Sequence, residues 1–99
     1  MRQEGKRFWT GAILHIDRFG NLITNYNIDE FPQLTSRPFV LKAGFQAISR
    51  LVRSYAECEP GQLAAVVGSS GYLEIFADQA SAAKMLGCGV GAPLELTIY

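Results

Sequence analysis

Turn signals recur along this chain and leave only short apolar runs between them, which constrains the fold more than any other feature. Phe19-Gly20-Asn21, Arg37-Pro38, Ala43-Gly44, Pro60-Gly61, Ser70-Gly71 and Gly91-Ala92-Pro93 each interrupt the pattern. Glycine reaches positive φ without penalty and proline removes a backbone donor, so both punctuate regular structure. The runs between them are rich in β-formers, the pattern of an all-β sandwich or barrel.

Phe8 to Asp17 reads as a strand, with Ala12, Leu14 and Ile16 on one face and Ile13 and His15 on the other. Leu22 to Asn25 begins a second. Phe39 to Lys42 and Gln46 to Tyr55 form a pair around Lys42-Ala43-Gly44, and Leu63 to Val67 and Tyr72 to Phe76 flank Gly68-Ser69-Ser70-Gly71 as a hairpin. The terminal Leu94 to Tyr99 alternates cleanly, which turns Leu94, Leu96 and Ile98 toward a core. Two pieces depart from the period of two. Asn27 to Phe31 reads as one helical turn stopped before Pro32, and Gln79 to Leu86 as a short helix capped by Asp78 and ended by Gly87. Its Ala80, Ala82 and Ala83 suit close packing against a sheet. The expected fold is mainly β: one domain over residues 1–99, a small Greek-key β-barrel with one or two short helices.

Composition narrows the function classes. An apolar fraction of 48% against 18% charged residues marks a globular chain. Nine basic and nine acidic residues balance, so the field of a general nucleic-acid binder is missing, and no basic-aromatic face supports an oligonucleotide-binding barrel. No apolar run is long enough to cross a bilayer and no signal-peptide segment follows the polar start, so the expectation is a cytoplasmic protein without membrane partners. Cys58 and Cys88 lie far apart with no CxxC pair, and His15 is the only histidine; no metal site is expected, and buried structural cysteines are.

Little here suggests catalysis. His15 sits in an apolar strand, and Asp17, two residues on, points to the same face, but no serine or cysteine is tied to that pair by spacing. Recognition has better candidates. Ile-Asp-Arg-Phe-Gly-Asn-Leu-Ile-Thr-Asn, residues 16–25, gathers a carboxylate (Asp17), a ring (Phe19) and two amides (Asn21, Asn25) around Gly20, either as a recognition loop or as an ordinary hairpin turn. Gly68-Ser69-Ser70-Gly71 offers backbone N–H groups and hydroxyls to an anion, or is simply a turn; it lacks the spacing of a P-loop or a dinucleotide fold. Tyr55 could stack on a planar ligand.

Residues 16–25, the segment SYAECEPGQLAAVVGSSGYLEIF from Ser54 to Phe76, and the following Ala80-Ser81-Ala82-Ala83…Leu86-Gly87 together resemble one family. It is the C-terminal domain of the S-adenosylmethionine (SAM) hydroxide adenosyltransferases, relatives of fluorinase and chlorinase. The resemblance implies a two-domain enzyme with an N-terminal α/β/α domain, of which this chain matches only the barrel, as an excised or split domain. It implies substrate held between the N-terminal domain of one subunit and the C-terminal domain of its neighbour in a homotrimer. By that resemblance Asp17 binds the ammonium of the methionine moiety as an unpaired carboxylate, and Asn21 hydrogen-bonds the adenine edge. Phe19 and Tyr55 line or stack on adenine, Ser69 and Ser70 hold the methionine carboxylate, and backbone groups from Ala77 to Gln79 complete adenine recognition.

The chain departs from the family pattern in three places. Ser70 stands where the halogenases carry arginine, Asp78 where asparagine is common, and Ala80 where glycine is common. The first points to the hydroxide-using branch. The expected function is therefore substrate binding in an enzyme that cleaves SAM, as substrate rather than cofactor, to adenosine and methionine. No catalytic residue is expected in this chain, because the groups that activate water belong to the missing domain. The alternative is a stand-alone adenosyl-binding or oligomerisation module.

Overall fold

A computed structural model describes residues 2–3 and 7–99. Among the described residues nine strands form a strongly curled sheet: β1 (Arg2–Gln3), β2 (Phe8–Ile16), β3 (Leu22–Asn27), β4 (Phe39–Ala43), β5 (Gln46–Ile48), β6 (Leu51–Val52), β7 (Leu63–Val67), β8 (Tyr72–Ala77) and β9 (Pro93–Ile98). The strand order is β5-β4-β9-β2-β3-β8-β7-β6, with β1 added to β2. Each of these pairings is antiparallel except β6 with β7. After the β2–β3 hairpin the chain crosses to β4, and β9 later fills the slot between β4 and β2. Those non-local connections curl the sheet into a half-barrel around one core. One short helix, α1 (Ala82–Leu86), and two 3-10 turns at Pro32–Thr35 and Tyr55–Glu57 complete the described residues. Among them no helix is long and apolar enough to cross a membrane.

Alternation explains most of the core. Leu94, Leu96 and Ile98 are all buried, each residue pointing inward as the period of two requires. At the barrel's waist Tyr26 is fully buried and its hydroxyl donates to the carbonyls of Trp9 (2.9 Å) and Leu94 (3.3 Å). Its ring meets Phe31 edge-on at 5.5 Å, and Phe31 meets Trp9 edge-on at 5.2 Å. A Cβ at Gly11 would lie 2.7 Å from the Tyr26 ring, so only glycine lets that ring cross β2.

Strand β7 reads Leu-Ala-Ala-Val-Val because it is buried on both faces. Ala65 joins the barrel core with Leu73, Ile75 and Ala77, whereas Ala64 and Val66 join Val52, Cys58 and Phe76 in a second cluster on the outer face. The excursion between β6 and β7 covers that outer cluster, and the candidate site lies at its rim.

Four expectations are corrected. The β2 pairing slips between Ile13 and His15, so Ile13 is buried while Leu14 is 49% exposed and His15 is exposed: a bulge interrupts the alternation. The run from Gln46 to Tyr55 is two strands; β6 leaves β4 and β5 to pair parallel with β7, and Tyr55 opens a 3-10 turn. The turn after β3 forms, with the Phe31 N–H donating to the Asn27 carbonyl, but Pro32 starts a further 3-10 turn instead of stopping the helix. Helix α1 begins three residues late, capped by Ser81 rather than Asp78, and Ala82 rather than Ala80 supplies the buried small contact.

Among the described residues Thr24 is the buried polar residue of the core, and it bridges a gap in the ladder. Pairing of β3 with β8 is irregular between Ile23 and Asn27. Within that interval the Thr24 hydroxyl donates to the Leu73 carbonyl (2.8 Å) and accepts from the Tyr26 N–H (3.2 Å). Thr24→Val keeps the shape but leaves both backbone groups unpaired in the core. We expect a loss of about 2 kcal/mol, since an unsatisfied buried polar group costs ~1–3 kcal/mol. Chemical denaturation with an unchanged m-value would show it, and a midpoint equal to wild type would refute it.

Candidate functional site

The loop joining β2 to β3 is built around one carboxylate. Asp17 Oδ1 accepts from the backbone N–H groups of Phe19 (2.9 Å) and Asn21 (3.0 Å), and Oδ2 accepts from Asn21 Nδ2 (3.1 Å). Backbone bonds from the Asp17 N–H to the Asn21 carbonyl (3.1 Å) and from the Gly20 N–H to the Asp17 carbonyl (3.0 Å) close the turn, with Gly20 at φ +82°. An aspartate that holds its own loop in this way is a turn former, and here it has two further effects.

The first effect is on Asn21. Only the NH2 end of its amide can face a carboxylate, so Oδ1 and the second amide hydrogen remain free with a fixed sense. The second effect is on Phe19, which the turn holds outward at 65% exposure. The Arg18 guanidinium covers it from one side, 4.9 Å from the ring centroid.

The loop docks onto the segment after β8. The Ala83 N–H donates to the Gly20 carbonyl (2.9 Å), and Gly20 lies directly against Ser81, whose Oγ accepts from the Lys84 N–H (3.2 Å) to cap α1. Residues 77–80 are pinned from the other side as well. The Asp78 carbonyl accepts from the Gly61 N–H (2.8 Å), and the Ala80 N–H donates to the Ala77 carbonyl (3.3 Å). Between these ties Gln79 adopts φ +56°, a left-handed conformation that glycine usually takes.

Tyr55 forms a further wall of the cavity that these residues line. Its ring stands edge-on to Phe76 at 4.8 Å and its hydroxyl donates to Glu74 Oε1 (2.8 Å). Burial, then the Glu74 hydrogen bond and charge, push its phenol up to about 12.

Asp17, Phe19, Asn21, Tyr55, Ala77 and Gln79 line one cavity of about 590 Å³, with Phe76, Asp78 and Ala80 completing it. That volume lies in the range of small-molecule sites, ~300–1,000 Å³. Two exposed rings, an oriented amide, a carboxylate and a strained backbone segment suit a flat ligand with polar edges. Ser69 and Ser70 stand at the tip of the β7–β8 hairpin and do not line the cavity. Asp17 accepts three hydrogen bonds from neutral N–H groups of its own loop, so the carboxylate expected to meet an ammonium also builds the turn. The partners of Asp17 are Phe19 and Asn21, not His15. Among the described residues no three His, Cys, Asp or Glu side chains gather as a metal would require.

Phe76, Glu74 and Ser81 carry the site yet were not singled out from the sequence. Glu74 had a signal: a charge inside the apolar Tyr72-Leu73-Glu74-Ile75-Phe76 must face away from the barrel core. Ser81 had none, because its part depends on the docking of a distant loop.

Comparison with known proteins finds relatives both in sequence and in fold. The profile of the SAM hydroxide adenosyltransferase C-terminal domain matches residues 11–95. An (R)-S-adenosyl-L-methionine hydrolase from Methanocaldococcus jannaschii is 35% identical over 80 residues, which span 75% of this chain and 30% of that protein. In three dimensions, an uncharacterized conserved protein from Thermotoga maritima superposes with a TM-score of 0.81 at 23% identity, over 98% of this chain and 39% of that one. A conserved hypothetical protein from Thermus thermophilus gives 0.69 at 28% identity, over 91% and 34%. The chain thus spans about a third of the length of these relatives.

Proposed function

Since the chain belongs to the SAM hydroxide adenosyltransferase family, as a C-terminal domain of that family, we propose that it is the substrate-recognition part of an enzyme cleaving SAM with water. The reaction forms a C–O bond from water to the ribose 5′-carbon and breaks the C–S bond. The sulfonium takes the bonding pair and leaves as the thioether of methionine, and the attacking water gives up a proton. The nucleophile-activating groups lie on an N-terminal α/β domain, and the working assembly is a cytoplasmic homotrimer in which that domain closes the cleft. Substitution needs a positioned nucleophile and a site shut off from solvent, and an open cleft on one domain offers neither.

The observation that carries this reading is the Asn21 amide, held by Asp17 in a cavity of about 590 Å³ that Phe19 and Tyr55 also line. Adenine stacks between the rings and meets the free Asn21 amide edge and the exposed backbone of 77–79. Asp17 retains lone pairs on Oδ2 for the methionine ammonium, and Ser69 and Ser70 hold the methionine carboxylate from the hairpin tip. The name of the Methanocaldococcus relative supports the same reaction.

Amide-resolved NMR titration of the chain with adenosine, SAM and methionine tests this. Adenosine and SAM are expected to shift the Phe19, Asn21 and Gln79 resonances, while adenosine release from SAM stays at background. A chain whose spectrum ignores both ligands would remove the proposal. Adenosine release at the rate of a complete enzyme would move catalysis into this domain.

A further inference from the structure

We propose that Glu74 is a positioning residue that couples the Gly68-Ser69-Ser70-Gly71 hairpin to the Tyr55 wall of the cleft. This rests on the function proposed above and adds a residue and a coupling to it.

Glu74 lies in the middle of β8, opposite Ile23 on one side and Val66 on the other. Its two carboxylate oxygens face different parts of the molecule. Oε1 accepts the Tyr55 hydroxyl at 2.8 Å. Oε2 lies directly against Gly68, where an added Cβ would overlap it and come within 2.8 Å of Cδ. Gly68 has no positive φ, so its backbone tolerates a side chain, and what an added Cβ there would meet and displace is the carboxylate end of Glu74.

The hairpin is in no position to yield. The Gly68 N–H donates to the Tyr72 carbonyl and the Gly71 N–H to the Gly68 carbonyl, both at 2.9 Å. The Gly71 carbonyl in turn accepts from the Ile28 N–H at 2.9 Å, tying the turn to the end of β3. Movement at Gly68 therefore passes to the carboxylate. Tyr55 sits on a short 3-10 turn with its ring edge-on to Phe76, so without Glu74 its hydroxyl end is unheld and the ring keeps only that contact. The hairpin that carries Ser69 and Ser70 thereby reaches the adenine wall through one side chain, and a ligand spanning both meets two ends of one rigid unit.

Gly68→Ala, Glu74→Ala and Glu74→Gln separate this from a merely structural role. The first readout is the Tyr55 ¹³Cζ shift through an alkaline titration. Wild type remains un-ionised to about pH 11, whereas Gly68→Ala and Glu74→Ala lose the Glu74 contribution and titrate at lower pH than wild type, still above the ordinary tyrosine value of about 10 because burial remains. The second is adenosine affinity, expected to fall on the order of tenfold in both alanine variants. Glu74→Gln keeps an acceptor for the phenol and recovers affinity to within about twofold of wild type. The coupling is overturned if Gly68→Ala leaves the Tyr55 titration unchanged, or if Glu74→Gln binds no better than Glu74→Ala. A wild-type chain that ignores adenosine defeats the function reading instead, and the Tyr55 titration then decides the coupling alone.

Discussion

Gly20→Ala is expected to lower the stability of the fold by about 4 kcal/mol, a fall of ~20 °C in melting temperature for a domain of this size. Two independent costs meet at this residue. Its φ of +82° is strained for any L side chain, at ~1–3 kcal/mol. A Cβ there would also overlap Ser81 Oγ and lie 2.6 Å from Ser81 Cβ and 3.0 Å from its Cα. The hydroxyl could rotate aside, but the backbone of the α1 cap cannot, and overpacking adds ~1–3 kcal/mol. The Gly20 carbonyl accepts from the Ala83 N–H, so the same displacement loosens the start of α1. Thermal melting by circular dichroism, paired with the adenosine titration, measures both consequences. A melting temperature within a few degrees of wild type would show that the loop does not dock as described.

Asp17→Asn should do the opposite: disturb recognition while largely sparing the fold. Asparagine keeps an oxygen for the Phe19 and Asn21 N–H groups, so the turn closes with neutral instead of charge-assisted bonds, at about 1 kcal/mol. The other end of the new side chain is an NH2 group facing Asn21 Nδ2, and two donors cannot pair. The Asn21 amide relieves this by turning over, which places NH2 where Oδ1 had been. A purine whose six-position is a donor then loses its acceptor, and one whose six-position is a carbonyl gains a donor. We therefore expect the preference for adenosine over inosine to fall by ~30-fold, about 2 kcal/mol, within the range of a bidentate base contact. Competitive titration of the two nucleosides gives the ratio directly. An unchanged ratio in a folded variant would mean that Asn21 does not read the base.

The strands were legible where one face is buried and the other wet. Leu94, Leu96 and Ile98 alternate because water lies on one side of β9, and Leu63 to Val67 was bounded correctly by the turns around it. Legibility failed where tertiary contacts override local preference. Leu14 should by alternation share the face of Ala12 and Ile16, but the bulge beside it releases it to solvent. Residues 79–81 have helical composition, yet their backbone is committed to the ties around Gln79, so α1 waits for Ser81. The run from Gln46 to Tyr55 looks like one strand because no residue within it announces that β6 will pair with β7 instead.

The same division runs through the site. Residue types and their spacing were enough to single out Asp17, Phe19, Asn21 and Tyr55, because a charged or aromatic residue beside a glycine turn is visible in one dimension. Their order along the chain was also enough to suggest the family. What each side chain does to its neighbours was decided only by folding. Asp17 orients Asn21 rather than standing free, Glu74 holds Tyr55, and Gly20 is glycine because Ser81 arrives against it from across the fold. Sequence carries the local chemistry, since turns and alternation depend on near neighbours. Glu74 meets Tyr55 from β8, and Ser81 meets Gly20 from across the fold, and only the curled sheet brings those together.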